Sequence, residues 1–522
     1  MNVKKKLVNL DAMIQRADFA VIANESHSAQ RIDTISVRDF LPESPLLPNL
    51  RKPDFQRETN HWTPNQVASL IQCFVEGELI PSVILWFSTA YVFVIDGGHR
   101  LSALRAWVED DYGDGPVSSL FFGRQITEAQ RDIAEETRQL VKKTVGSWQH
   151  RQALNKQPDL SPEDRVRISG AMTIVIPVQV VIGNADKAEN SFFRINTQGT
   201  PLDDIEELLI KNRLKPIPIA ARSIIRAGMG HKYWSRFLSA KQEIIEKMAH
   251  DLYLILFDPE LDKPIKTLDL PLGGVSGVRV ALELLIGFIL VANRNQHGRP
   301  LEVKDQPDDT NGDETIQVLK KSLTLAQRMT GNDHGSLGLH PAVYFYGPSG
   351  RHSTPLFMGV ATLIARKLVN NDAEFFKRFT NCRERLEQIL IEHKSLFASV
   401  VLQTRSNKRH EKIADLLDYM INKISEGQFP TEQEIVDKAG VSGKVIVGEG
   451  EKTSHKFSEE TKSESFLKSA LRTALRCSIC GGYLNPSKSV SYDHIVPVRA
   501  GGDGSPNNCQ LTHPYCNQSI KQ

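Results

Sequence analysis

Cysteine is scarce in this chain, six residues in 522, too few and too scattered for a disulfide scaffold; that usage fits a reducing cytoplasm. Long hydrophobic runs are missing as well. The most apolar stretch, Ala281 to Asn293, is interrupted by Glu283 and is too short to span a bilayer, so it reads as a buried helix and no membrane partner is expected. The start, MNVKKKLVNLDAMIQRADF, is basic but has no apolar core before Asp11, so it is not a signal peptide. Net charge is nearly absent: 64 Lys and Arg against 62 Asp and Glu leave +2, which by itself argues for no polyanionic partner. There is no internal repeat. Ordinary globular usage, 40% hydrophobic and 24% charged, and about 150 residues per domain suggest three or so domains.

The tightest constraint lies at the C-terminal end, which reads Cys477-x-x-Cys480, then Asp493-His494, Asn508, His513-x-x-Cys516 and Asn517. Each soft pair has the spacing that lets a turn present both members to one tetrahedral Zn²⁺. Between the pairs lie a carboxylate, an imidazole and amides, which suit an oxygen-loving divalent metal and a general base. A plain zinc ribbon, which cuts nothing, requires neither the Asp-His pair nor the Gly-Gly loop that follows it. Residues 465–522 also carry six basic against two acidic side chains, a local excess of +4, as a phosphodiester substrate favours.

This segment resembles the HNH (ββα-metal) nucleases. The resemblance implies His494 as the general base, oriented by the Asn508 amide, with Asp493 and Asn517 as ligands of a catalytic Mg²⁺ or Mn²⁺. It implies Cys477, Cys480, His513 and Cys516 as a structural zinc site, His513 standing where the family more often has Cys. Imidazole titrates near neutrality and suits the base. Cys509 falls outside the pair spacing and reads as a buried thiol.

Along the chain, the patterning predicts a short helix around Asp11–Ala23 and a strand at Thr34–Val37. Val83–Phe87 and Tyr91–Ile95 form a hairpin, and a helix runs over Leu101–Val108. Residues 111–170 read as a helical excursion and Ala171–Val181 as a strand. Residues 205–290 and 316–400 read as mostly helical, separated by a surface loop over Asn295–Asp313. Residues 441–463, rich in Gly, Ser and charge, read as a linker before a helix at Phe466–Arg476.

The second hairpin strand runs into Asp96-Gly97-Gly98-His99-Arg100 at a helix start, a geometry whose backbone N–H groups can cradle a phosphate. Upstream lie Phe55-Gln56-Arg57 and Trp62; downstream comes Phe192-Phe193-Arg194-Ile195-Asn196, then Gly199 and Leu202. Trp62 and Phe193 read as core residues; His150, His231 and His352 stand in no motif. In this order the three motifs resemble the ParB/sulfiredoxin-like, DGQQR-type domain of GmrSD-type restriction enzymes and SspE-like phage-defence proteins, over about residues 34–210. Here Gly98 and His99 replace the signature's two Gln.

The resemblance implies a nucleoside triphosphate (GTP, ATP or CTP) held by Gln56, Arg57, Asp96, Gly97, Gly98, His99, Arg100 and Asn196, and a domain that controls a nuclease. The expected architecture is α+β and multidomain: a ParB-like sensor over 1–210, a helical domain over 211–440, a linker over 441–464 and the zinc-stabilised HNH module over 465–522. The expected partner is DNA, modified or phage-derived, and a homo-oligomer stays open. Two other readings remain: a ParB-like nucleotide-dependent DNA-binding protein with a non-catalytic zinc module, and an intron-type homing endonuclease.

Overall fold

The computed structural model describes residues 6–17, 19, 32–54, 56, 59–122, 126–157, 161, 174–198, 204–229, 231–261, 264–274, 278–294, 302–404, 409–443 and 457–520. The chain divides into two compact units, residues 1–213 with 229–233, and residues 214–228 with 234–522.

The first unit is built on a six-stranded mixed sheet in the order β1-β3-β5-β4-β6-β2. Its strands are β1 (Arg16–Ala17), β2 (Thr34–Ser36), β3 (Leu50–Pro53), β4 (Val83–Phe87), β5 (Val92–Asp96) and β6 (Val175–Val180). The hairpin β4–β5 is antiparallel, as its alternation predicts. Strict alternation feeds two cores. Val83, Leu85, Val92 and Val94 face Val67, Ile71 and Phe74 of helix α1 (Pro64–Glu76). Trp86, Phe93 and Ile95 face Phe19 and the helix Ala185–Gln198 through Ala188 and Phe192. Because both faces are covered, the central strands read as near-continuous apolar runs.

Helix α2 (Gly98–Glu109) leaves β5 through the glycine turn and buries Leu101, Leu104 and Val108. The excursion after it holds helices Glu128–Thr144 and Trp148–Asn155. Of the short helix expected over Asp11–Ala23, the first part is a 3-10 turn at Asp11–Met13 followed by β1, and residues 18 and 20–23 lie outside the described residues. The buried Asp11 carboxylate binds Arg16 and, 41 residues on, Lys52, and the second pairing is invisible to local periodicity.

The second unit is a helical body joined to a small C-terminal module. Helices Pro216–Ile225, Ser239–Phe257, Val278–Ala292 and α3 (Asp313–Met329) pack together, and Thr354–Val369 lies along Arg409–Ser425. Of the surface loop expected over Asn295–Asp313, residues 295–301 lie outside the described residues, and the rest is a loop with one 3-10 turn at Val303–Asp305. Asp309 is buried and accepts hydrogen bonds from Gly312 N, Thr315 N and Thr315 Oγ1, fixing the start of α3. Helix α4 (Ala373–Glu392) faces the C-terminal module. The helix expected from Phe466 starts earlier, as α5 (Glu459–Thr473), so the end of the expected linker is folded, with Ser463 buried and its Oγ accepting from Ile265 N. Most of that linker, 444–456, lies outside the described residues. Among the described residues no helix is long and apolar enough to cross a membrane.

Candidate metal centre and nuclease site

Cys477, Cys480, His513 and Cys516 converge, their ligand atoms all within 4.8 Å of one another. A tetrahedral ion with Zn–S bonds near 2.3 Å needs ligand atoms about 3.8 Å apart, so the cluster fits such an ion with slight contraction. The local backbone explains the convergence. Gly481 N donates to Cys477 O and Cys477 N to Gly482 O, closing the knuckle, and Ser478 N donates to Leu511 O. Those bonds tie it to the strand that leads to His513.

His513 is fully buried. Its Nε2 lies 3.0 Å from Tyr483 O, and its Nδ1 lies 3.3 Å from Cys480 Sγ. Donation from Nε2 to that carbonyl leaves Nδ1 as the ligand atom. Burial, and next the charge of Arg383, hold His513 below the usual histidine range, keeping the imidazole in the neutral form that binds metal. The buried apolar cluster here is only Cys477, Leu484 and Cys516, with Ile479, Cys480, Val490 and Leu511 around it. So small a core is of the kind that a bound metal would help to fold.

Strands β7 (Ser491–His494) and β8 (Cys509–Thr512) pair antiparallel, with Asp493 opposite Gln510 and His494 opposite Cys509. Alternation puts Ser491 and Asp493 on one face, and Tyr492 and the exposed His494 on the other. Asn517 lies on the Ser491 side: its Nδ2 donates to Ser491 Oγ at 2.7 Å and Tyr492 O at 3.2 Å. Gln510, which patterning did not single out, donates through Nε2 to Asp493 Oδ2 at 2.8 Å. Only the strand register identifies it.

Two expectations need correction. Asn508 was expected to orient His494 through its amide. The amide instead holds the loop beyond His494: Oδ1 accepts from Val496 N at 2.7 Å, and Nδ2 donates to Val496 O and Asp503 O at 3.1 and 2.7 Å. It is the Asn508 backbone carbonyl that binds next to His494, accepting from Ile495 N at 2.9 Å. Gly502 fits under this loop because a Cβ there would stand 1.8 Å from Val496 O. Cys509, expected as a buried thiol, is exposed, since the edge register turns it outward opposite His494.

At the N-terminal motif, helix α2 opens at Gly97 with φ +94° and no side-chain cap. Gln56 is buried against the turn, with Nε2 3.3 Å from Ile95 O, and a Cβ on Gly98 would lie 3.2 Å from its Oε1. His99 stacks on Trp62 at 5.4 Å, so Trp62 is half-buried beside the motif. Arg100 folds back, its Nη2 donating to Asp96 Oδ2 at 2.7 Å and Ser82 O at 3.2 Å. The structure therefore gathers Gln56, Asp96, Gly97, Gly98, His99 and Arg100. Arg57 lies outside the described residues, as do the side chains of Phe193 and Asn196, which sit on Ala185–Gln198.

Comparison with known proteins gives two family matches. Residues 43–215 match the GmrSD restriction endonuclease N-terminal domain, and residues 477–522 match the HNH endonuclease. No curated protein and no solved structure matches. The second match covers the Cys3His cluster and the Asp-His strand together, and the pair supports a restriction-type DNA endonuclease. In order along its length, the chain joins a GmrSD-type N-terminal domain to a C-terminal HNH endonuclease domain, the GmrSD-like architecture.

Proposed function

We propose that this protein is a DNA endonuclease of an antiphage restriction system, in which a nucleotide-binding, ParB-like N-terminal domain governs metal-dependent cleavage by the HNH module. The observation that carries the reading is the strand β7 itself. It presents His494 on an exposed face and Asp493, gripped by Gln510 and flanked by Asn517, on the other. His494 takes the proton of the water that attacks phosphorus. Asp493 and Asn517 hold Mg²⁺ or Mn²⁺, which when bound stabilises charge on the phosphate and on the leaving 3′ oxygen. Cys477, Cys480, His513 and Cys516 hold zinc and keep the knuckle folded.

In the N-terminal domain, the uncapped first turn of α2 supplies backbone N–H groups to a nucleoside triphosphate. Arg100, paired with Asp96 through Nη2, stands beside that turn to meet the phosphates. The test is plasmid cleavage with Mg²⁺, with and without GTP, ATP or CTP, on modified and unmodified DNA. Cleavage that needs Mg²⁺ and responds to one nucleotide supports the reading. No cleavage under any combination, by zinc-loaded protein, refutes it.

A further inference from the structure

Beneath the metal cluster, α4 carries two charged residues that are almost fully buried, Arg383 at 1% and Glu387 at 0% exposure. They pair one turn apart, Arg383 Nε to Glu387 Oε1 at 2.7 Å. Burying two charges costs several kcal/mol, and apolar residues would often serve stability as well. The way their remaining atoms are used is therefore informative. Arg383 donates to Leu337 O and, at 3.0 Å, to Gly338 O. Glu387 Oε1 also accepts from Tyr344 Oη at 2.9 Å. All of these partners lie within the helical body.

Glu387 Oε2 does something different. It accepts from Tyr483 N at 2.6 Å, 96 residues away in the knuckle. Tyr483 O is the acceptor for His513 Nε2 at 3.0 Å. Tyr483 is thus held at one backbone group by a carboxylate of the helical body and at the other by the ligand histidine. Contact is close on both sides of this chain. A Cβ on Gly482 would lie 2.6 Å from Arg383 Nε. Gly338, at φ +56°, meets the His513 ring itself, and a Cβ there would lie 2.8 Å from its Cδ2.

We propose that Glu387, held in place by Arg383, is a positioning residue of the metal centre: it fixes Tyr483, whose carbonyl sets the His513 ring so that Nδ1 faces the ion. The helical body, which neither family match covers, thereby supplies the outer shell of the knuckle's metal site. Outer-shell partners of ligating histidines act in this way in metalloproteins generally, and their removal lowers metal affinity about 10- to 100-fold. The inference rests on the reading of the Cys3His cluster as a zinc site.

The experiment uses full-length protein and two readouts other than cleavage, zinc affinity by chelator competition and the visible absorption of the Co²⁺-substituted site. Glu387→Gln keeps the side-chain size but removes the charge. It should lower zinc affinity, by less than the about 10- to 100-fold that loss of a histidine's own partner costs, and alter the Co²⁺ bands. Tyr344→Phe removes a different hydrogen bond from the same carboxylate. It should lower thermal stability while leaving zinc affinity and the Co²⁺ bands at wild-type values. Should Glu387→Gln not fold, Glu387→Asp keeps the charge beside Arg383 but draws the carboxylate back from Tyr483, and is expected to give the same loss of affinity. Folded Glu387 variants with wild-type affinity and unchanged bands would overturn the proposal. So would an equal loss of affinity in Tyr344→Phe. Wild-type protein that binds no zinc would instead remove the metal reading beneath it.

Discussion

Asn508 offers a sharp test, because its side chain does a different job from the one its motif position implies. The amide makes three hydrogen bonds to the loop after β7, to both backbone groups of Val496 and to Asp503 O, and it is 8% exposed. Asn508→Ala removes all three. At about 1 kcal/mol net per bond, the loop should lose about 3 kcal/mol against local opening. That corresponds to an opening equilibrium larger by on the order of 100-fold, at 1.36 kcal/mol per tenfold. The Val496 amide reports it directly, since its own acceptor has gone. Hydrogen exchange on zinc-loaded protein should show that amide, and its neighbours up to Gly502, exchanging on the order of 100-fold faster, while β8 and the Cys3His knuckle keep their protection. Cleavage should fall with it, because the loop begins one residue past His494. Unchanged protection at Val496 with unchanged cleavage would refute the assignment. Loss of cleavage with full Val496 protection would restore the expected direct role of the amide on His494.

Three further outcomes follow from the same geometry. His494→Ala should abolish cleavage while leaving zinc content and the melting transition unchanged, as metal analysis and calorimetry would show; near-wild-type nicking by this variant would rule out the proposed base. Cys477→Ser and Cys516→Ser should each lose the bound zinc and unfold the knuckle, whereas Cys509→Ser, at an exposed position, should keep it; zinc loss in the Cys509 variant would break the ligand assignment. His340 is completely buried and accepts through Nδ1 from Ala342 N, and burial pushes its pKa down to about 4. Because the folded value lies below the unfolded one near 6.5, the unfolded chain binds the extra proton, and stability falls as pH drops from about 6.5 towards 4, by about 3 kcal/mol at the lower end. His340→Asn keeps a capping acceptor and cannot titrate, so chemical denaturation at pH 7 and pH 5 should show a smaller acid loss in the variant than in wild type; equal losses would remove His340 as the cause.

Much of this protein was legible one residue at a time. The β4–β5 hairpin, α2 and the helical runs follow from period-2 and period-3.6 patterning, and the Cys-x-x-Cys and His-x-x-Cys spacings announce a converging cluster because short turns fix where their side chains point. The Asp-His pair sits on a strand for the same local reason. The departures share one physical origin, which is that pairings made in the folded chain, and not local composition, set where these side chains go. Asp11 holds the described start of the expected first helix as a 3-10 turn and a strand, with Lys52 bound to it from 41 residues away, and Asp309 fixes the end of the expected surface loop at the start of α3. Cys509 is exposed because strand register, not hydrophobicity, sets its direction. Gln510 reaches Asp493 only once β7 and β8 are paired, and Asn508 finds Val496 only when the Gly502 loop closes over it. Sequence by itself determined which residues could ligate a metal or move a proton. Tertiary structure decided what holds them: a carboxylate on α4, nearly a hundred residues before the knuckle in the chain, meets Tyr483 there, and no local pattern encodes a contact made between segments so far apart.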